Sequence, residues 1–126
     1  MTPEALIIHP EVHHVLGGTG QYAHGAPLPA DIPAEVLLWA MEQILDGRPM
    51  AIALDGRRVM WVNENHNDPN MPTNVCATDI ARRNGSVLPD AHISGTAIIS
   101  GESDEGNPLP LTAAQVERTV QDFAAG

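Results

Sequence analysis

The clearest helical pattern in the chain lies between residues 34 and 45. Six apolar residues follow the i, i+3, i+4 spacing of one buried helix face: Val36, Leu37, Ala40, Met41, Ile44 and Leu45. Asp31-Ile32-Pro33 precede this face with a capping side chain and a first-turn proline, and Gly47 follows as a stop signal. The pattern predicts a first main helix with a single buried stripe.

A second amphipathic pattern closes the chain. Thr112 and Gln115, three residues apart, form a capping-box pair. Val116, Val120 and Phe123 follow with helical spacing and give this segment its apolar face. A second main helix is therefore predicted, and a shorter one is expected over 75–83, ending at Asn84-Gly85.

Strand patterns fill the remaining apolar runs. The segments MAIAL (50–54) and RRVMWVN (57–63) flank Asp55-Gly56, a pair that favours a two-residue hairpin turn with both residues at positive φ. Residues 93–100 are rich in Ile and Thr and predict a buried strand. Two short strands are expected at 5–9 and 12–16, separated by Pro10.

Two segments carry turn residues instead of a periodic pattern. Residues 17–33 (GGTGQYAHGAPLPADIP) are dense in Gly and Pro and predict a long loop, and residues 63–74 (NENHNDPNMPTN) predict a second. A length of 126 residues suits one domain, residues 1–126, with the 17–33 loop inside it. The predicted fold is α+β: a small mixed, mainly antiparallel sheet of about four or five strands, with two main helices packed on one face.

Charge and composition narrow the function classes. The chain carries 16 acidic residues and six basic ones, for a formal net charge of −10, and contains no lysine. That excludes a P-loop lysine and a Schiff-base lysine, and no direct nucleic-acid binding is expected. No apolar run approaches the roughly 20 residues that cross a bilayer, so we expect a cytoplasmic protein without membrane contact.

Histidine is the residue type that raises the question of a metal. His9, His13 and His24 are the candidate ligands, because a turn could bring His9 and His24 together with one histidine of the 12–16 strand. His13 and His14 would point to opposite faces of that strand and could not share one ion. The alternative is that these histidines are ordinary surface residues. No cofactor is predicted.

A second metal possibility lies downstream, where Glu64 and His66 are same-side neighbours in an extended chain and Asp68 follows. No catalytic residues are assigned. Gly17-Gly18-Thr19-Gly20 lacks the following helix of a phosphate loop, and Cys76 has no base that the sequence places beside it.

The 63–74 loop is the candidate for recognition. Its hydrogen-bonding side chains suit a polar small molecule or a peptide backbone, and the predicted binding residues are Asn63, Glu64, Asn65, His66, Asn67, Asn74 and Thr96. The competing interpretation is structural. In that interpretation Asn and Asp cap turns, and Asn63, Asn74 and Thr96 satisfy buried backbone groups.

Five short motifs occur in a fixed order through the C-terminal two-thirds of the chain: Leu45-Asp46-Gly47, Val62-Asn63-Glu64, Met71-Pro72-Thr73-Asn74, Ile93-Ser94-Gly95-Thr96 and Leu111-Thr112 to Val116-Glu117. Over about residues 34–123 the chain resembles a family of small proteins of unknown function from bacteria and their phages. The resemblance implies a fold and a phage or mobile-element setting. It implies no reaction.

Together these observations favour a non-enzymatic accessory protein that binds a host protein or a small polar, nucleotide-type ligand, with counter-defence as one role. If it is phage-encoded, it would act in the host cytoplasm. A homodimer is possible through the edge of the hairpin. The alternatives are a His-dependent metal-binding protein or enzyme, and an acidic DNA mimic that inhibits a nucleic-acid enzyme.

Overall fold

The computed structural model describes residues 4–10, 23–28, 31–86 and 91–124. Its strands, in chain order, are β1 (Ala5–Ile8), β2 (Ala23–Ala26), β3 (Pro49–Ala53), β4 (Arg58–Asn63), β5 (Ala97–Glu102) and β6 (Pro108–Leu109). Its helices are α1 (Ala34–Leu45), α2 (Val75–Arg83) and α3 (Ala113–Ala124). The predicted strand at 12–16 lies outside the described residues.

The strands form one sheet in the order β2-β1-β5-β4-β3, and β6 pairs with β5. Every pairing between these strands is antiparallel. The predicted α+β class and mainly antiparallel sheet are confirmed, with six strands in place of four or five. Part of the predicted 17–33 loop is a strand, because residues 23–26 pair along the whole length of β1.

Helices cover both faces of the sheet, so the expectation of two helices on one face is wrong. The side chains of β4 alternate between two cores, Val59 and Trp61 facing α1 and Met60 and Val62 facing α2. All six residues of β4 are buried, as expected for a strand covered on both sides.

The first core lies between the sheet and the two later helices, with Val116 of α3 packed against it: Ile8, Ile52, Leu54, Met60, Val62, Ala77, Ile80, Ala81, Ile93, Ala97, Ile99 and Leu111. The second lies between the sheet and α1: Ala5, Ile7, Leu28, Leu37, Met41, Leu45, Val59, Trp61 and Ile98.

Residues close together in sequence form the predicted turns, but the positive-φ residues of the β3–β4 turn lie one position later than expected. Thr112 N–H donates to Gln115 Oε1 at 2.9 Å and Gln115 N–H donates to Thr112 Oγ1 at 3.2 Å, which confirms the capping box. The β3–β4 turn has positive φ at Gly56 and Arg57 rather than at Asp55 and Gly56. A third residue enters the turn because Leu54 N–H donates to the Arg58 carbonyl.

The ends of α1 also differ from the pattern. No side chain caps its N-terminus, where Pro33 is the N-cap residue, so Asp31 does not have the predicted role. At its C-terminus Asp46, with φ of 56°, is the left-handed residue in place of Gly47. Half of the predicted stripe is buried, whereas Val36 is 48% exposed and Ile44 is 43% exposed.

The buried side of α3 carries polar residues as well as Val116. Val120 is exposed, Thr119 and Asp122 are buried, and the side chain of Phe123 lies outside the described part. Thr119 and Asp122 face Arg58, the first residue of β4, which is 1% exposed. A polar helix face is stable here because it surrounds a buried cation.

All five N–H groups of the Arg58 guanidinium have acceptors. Nη1 donates to Thr119 Oγ1 at 3.0 Å and to Asp122 Oδ2 at 2.8 Å. Nη2 donates to Asn84 Oδ1 at 3.0 Å and to a carboxylate oxygen of Asp55, while Nε donates to the Asp55 carbonyl at 3.1 Å. This Arg58 network joins the β3–β4 turn, the end of α2 and the middle of α3.

Asp122→Ala should lower the free energy of unfolding by about 3–5 kcal/mol, because it leaves a buried guanidinium short of its carboxylate. Urea denaturation measures the loss. The matched control is Asp104→Ala, which removes the exposed partner of Arg57 and should change stability by less than about 1 kcal/mol. If Asp122→Ala and Asp104→Ala lowered the free energy of unfolding equally, the buried ion pair would contribute no more than the exposed one, contrary to expectation.

The hydrogen bond from Arg58 holds the pKa of Asp55 below its ordinary value, with further help from the charges of Arg58 and Arg118. A carboxyl whose folded pKa is depressed stabilises the fold above its unfolded pKa, near 3.8, and loses that contribution as pH falls through the folded value. Wild type should therefore be more stable than Asp55→Asn at pH 7, and the difference should shrink below about pH 4. Urea denaturation at pH 7 to 2 tests this, and a pH-independent difference would refute it.

Candidate functional site

The 63–74 loop begins with an asparagine that points into the fold. Asn63 is 5% exposed, and its Nδ2 donates to the carbonyls of Leu45 and Asp46 at 3.1 and 3.0 Å. Its Oδ1 accepts from the Asn65 N–H at 2.8 Å. Asn63 therefore satisfies the last carbonyls of α1 and starts the loop turn, which is the structural alternative given above.

This contact explains Gly47. A Cβ at position 47 would lie 2.3 Å from Asn63 Nδ2, so any larger residue would displace the amide from the helix end. Glycine is required here for a close approach of the side chain, and not as the left-handed residue.

The second predicted amide, Asn74, is also internal. It is fully buried, and its Nδ2 donates to the carbonyls of Ile8 and Gly95, both at 2.9 Å. Its Oδ1 accepts from the Ala77 N–H at 3.0 Å and so caps α2. One side chain thus joins β1, α2 and the segment before β5.

The other predicted binding residues do not converge with these two. Glu64, Asn65 and Asn67 are exposed on the loop surface, and His66 and Thr96 are half-buried. His66 Nδ1 and the Oγ of Ser94 are buried without a protein partner, and the Ser94 N–H donates to the His66 carbonyl at 2.7 Å. The loop therefore offers exposed polar groups, and its two best-placed amides are used inside the fold.

Two of the candidate metal ligands do meet. His9 Nε2 and His24 Nε2 lie 3.0 Å apart on the exposed surface beside β1 and β2. His13 and His14 fall outside the described residues. Within the part of the chain that is described, no three His, Cys, Asp or Glu side chains are placed to hold a metal ion, and this includes Glu64, His66 and Asp68.

An apolar groove lies between α1 and the β1–β2 half of the sheet. Its cavity measures about 210 Å³. The residues that line it are almost all apolar: Ala5, Ile7, Ala26, Pro27, Leu28, Ile32, Val36, Leu37, Ala40, Met41, Ile44 and Ile98. We call it the α1 groove.

The helix side of the α1 groove is a ridge of residues spaced by four. Val36, Ala40 and Ile44 form this row, and both Val36 and Ile44 are exposed. Next to the row stands Trp39, which at 63% exposed is the most exposed large apolar side chain described. Four apolar positions on one exposed helix surface make this surface the candidate interaction site.

A column of acids runs along the other side of α1. Glu35 and Glu42 are seven residues apart and so share one side of the helix, Asp46 follows at its C-terminus, and all three are exposed. Trp39 lies between this acid column and the apolar row. α1 thus presents an apolar strip edged by negative charge.

The size of the sheet explains why the groove exists. Five strands at about 4.8 Å spacing are about 19 Å wide, whereas one helix with its side chains covers about 10–12 Å. Two helices cover the opposite face, but α1 is the one helix that the described residues place on this face. The β1–β2 half is left as the floor of the groove.

The signal for this surface was present in the sequence. The apolar stripe of α1 is wider than one helix needs for a single buried face, and Trp39 lies outside it on the same helix. An apolar stripe this wide, with acidic residues along only one side of it, is typical of a helix that packs on its own fold and leaves a second apolar surface exposed.

A family model described as a domain of unknown function (DUF3846) matches residues 22–124. The chain belongs to this family. No curated protein and no solved structure matches the chain. In the described residues, no helix is long and apolar enough to cross a membrane.

The short motifs that carry the family resemblance lie at the internal contacts described above. Gly47 meets Asn63, and Asn74 meets Gly95. A Cβ on Gly95, whose φ is 84°, would also lie 2.5 Å from the Met71 methyl group. These motifs specify the scaffold, and the α1 groove lies apart from them.

Asn63→Ala and Asn74→Ala should each lower the free energy of unfolding by about 1–3 kcal/mol, because buried carbonyls lose their donors. Thermal or urea unfolding measures the change. Asn67→Ala, an exposed amide of the same loop, is the control and should stay within about 0.5 kcal/mol of wild type. If Asn67→Ala lowered the free energy of unfolding as much as Asn63→Ala, the assignment of Asn63 to internal contacts and of Asn67 to the loop surface would be contradicted.

Proposed function

We propose that this chain is a non-enzymatic accessory protein of a phage or mobile element that acts by binding a host protein, with counter-defence as its setting. The observation that carries the proposal is the α1 groove with its exposed apolar ridge. The occupant we assign to it is an amphipathic helix of the partner, with an apolar stripe for the groove and basic residues beside the acid column.

A helix fits the groove in size and surface. The uncovered part of this sheet face is about 7–9 Å wide, close to the roughly 8–10 Å between the axes of packed helices. Ridges of residues spaced by four are the usual contacts between such helices. The row of Val36, Ala40 and Ile44 supplies such a ridge. Trp39 adds the kind of large aromatic anchor that dominates binding energy at interfaces.

Charge supports a basic partner over a second copy of this chain. The formal net charge is −10, and α1 carries acids but no basic residue along its exposed side. Two copies meeting through α1 would bring two acid columns together, whereas a basic helix would be steered toward the site. The predicted homodimer concerns the hairpin edge at β3, which is a separate surface.

Two of the rival functions, binding of a small polar ligand and DNA mimicry, have less support. A small polar ligand in the 63–74 loop would have to bind without Asn63 and Asn74, whose amides are bonded to backbone carbonyls. A DNA mimic would need carboxylates at the spacing of phosphates, whereas the acids of α1 border an apolar strip. An apolar strip beside acids is suited to another protein.

A synthetic helical peptide with a leucine stripe and lysine flanks tests the proposal directly. Trp39 is the natural reporter, since it is exposed at the site while the other tryptophan, Trp61, is 5% exposed. Saturable binding should shift the Trp39 emission to shorter wavelength, and Trp39→Phe should remove the shift. A matched peptide with glutamate in place of lysine should bind much more weakly.

Two charge-matched variants separate docking from general attraction to an acidic protein. Ile44→Asp removes an apolar anchor and should weaken peptide binding by about tenfold or more, although it adds a negative charge. Val120→Asp adds the same charge on α3, away from the groove, and should leave affinity within about twofold. Tighter binding to Ile44→Asp, or equal binding of the two peptides, would overturn the proposal.

A further inference from the structure

His9 and His24 form an exposed pair of histidines beside strands β1 and β2. His24 lies on β2 opposite Ile7, and His9 follows β1 by one residue. Their ring centres are 5.1 Å apart while their Nε2 atoms are 3.0 Å apart, so each Nε2 is turned toward the other ring. One of the two nitrogens must carry the proton that the other accepts.

A second hydrogen bond of His24, made by its Nδ1, shows which of its two ring nitrogens carries the hydrogen. His24 Nδ1 lies 3.4 Å from the Gly25 carbonyl, and a carbonyl only accepts, so Nδ1 carries the hydrogen. The Nε2 of neutral His24 is then the acceptor, and His9 Nε2–H is the donor. A histidine whose Nδ1–H is bound to a backbone carbonyl and whose Nε2 carries no hydrogen has the tautomer typical of metal ligands.

From these two observations we infer that His9 and His24 form a binding site for a divalent transition-metal ion that favours imidazole, with Ni²⁺ and Cu²⁺ fitting best. An ion about 2.0–2.1 Å from both Nε2 atoms at their 3.0 Å separation makes an N–metal–N angle of roughly 90–100°. That is the angle between neighbouring ligands in square-planar or octahedral coordination. A tetrahedral Zn²⁺ site needs the two nitrogens a few tenths of an ångström further apart.

Binding replaces the shared proton with the ion. The hydrogen on His9 Nε2 leaves that nitrogen through solvent water as the ring changes to the tautomer that carries its hydrogen on Nδ1, and both Nε2 lone pairs turn to the metal. Both rings are exposed, and each has to turn by about 40° to aim its Nε2 lone pair at an ion about 2.0–2.1 Å away. Because only unprotonated imidazole binds, metal affinity falls as the solution is acidified.

The site borders the α1 groove without depending on it. Ile7, the cross-strand neighbour of His24, lines the groove, so the ion would sit on the same face of the sheet. With two protein ligands, the remaining coordination positions are open to water. Metal binding by His9 and His24 requires no partner helix in the groove.

Isothermal titration of tag-free protein with NiCl₂ at pH 7.5 tests the site. Wild type should bind one ion, and His9→Ala and His24→Ala should each weaken binding by more than about tenfold, since losing even an outer partner of a ligand costs 10–100-fold. His92→Ala removes another exposed histidine and should bind as wild type does. Circular dichroism checks that each variant keeps its fold.

Three results would overturn the inference: no binding by wild type, unchanged affinity in either His9→Ala or His24→Ala, or an equal loss in His92→Ala. A second readout uses the nitrogen chemical shifts of the rings. Before metal is added, His24 should show a protonated Nδ1 and a bare Nε2, and one equivalent of NiCl₂ should shift and broaden the Nε2 signals of His9 and His24. Shifts confined to other histidines would also overturn it.

Discussion

The buried guanidinium of Arg58 is the constraint around which the C-terminal half of the molecule is arranged. A cation with no exposure to water must have every donor matched, and here three separate pieces of chain supply the acceptors. The carboxyl of Asp122 and the amide of Asn84 are themselves bonded, which ties the end of α2 to α3. The buried polar residues of α3 and the three-residue turn before β4 both follow from this requirement, because each delivers an acceptor to the same group.

The two faces of the sheet are covered unequally, by α2 and α3 on one face and by α1 on the other. The face under α2 and α3 is closed by Arg58 and by Asn74, and its core is continuous. The face under α1 keeps its apolar residues partly in contact with solvent, at Val36 and Ile44 above all. The buried polar network therefore lies on one side of the sheet, and the exposed apolar surface to which we assign docking lies on the other.

Sequence reasoning succeeded where the interaction is local and failed where it joins distant residues. The hairpin and the Thr112 capping box each depend on residues close together along the chain, and both were predicted. Strand β2 was missed because AHGA has no strand pattern of its own and is ordered by pairing with β1. Two partners of Arg58, Thr119 and Asp122, lie 61 and 64 residues away in α3, so nothing nearby in sequence marks them. The inward direction of Asn63 was considered from the sequence, but only its contact with α1 decides it.

The glycine at position 47 has a consequence for how relatives of this protein are compared. Its missing Cβ makes room for the Asn63 amide, so a sequence that retains this pair retains the junction between helix and sheet. Divergence at the outward positions of α1 would leave that junction intact. Two homologues could thus superimpose closely while recognising unrelated molecules. The shared motifs identify proteins that have the same fold. Whether two such proteins bind the same partner has to be judged from the residues outside these motifs.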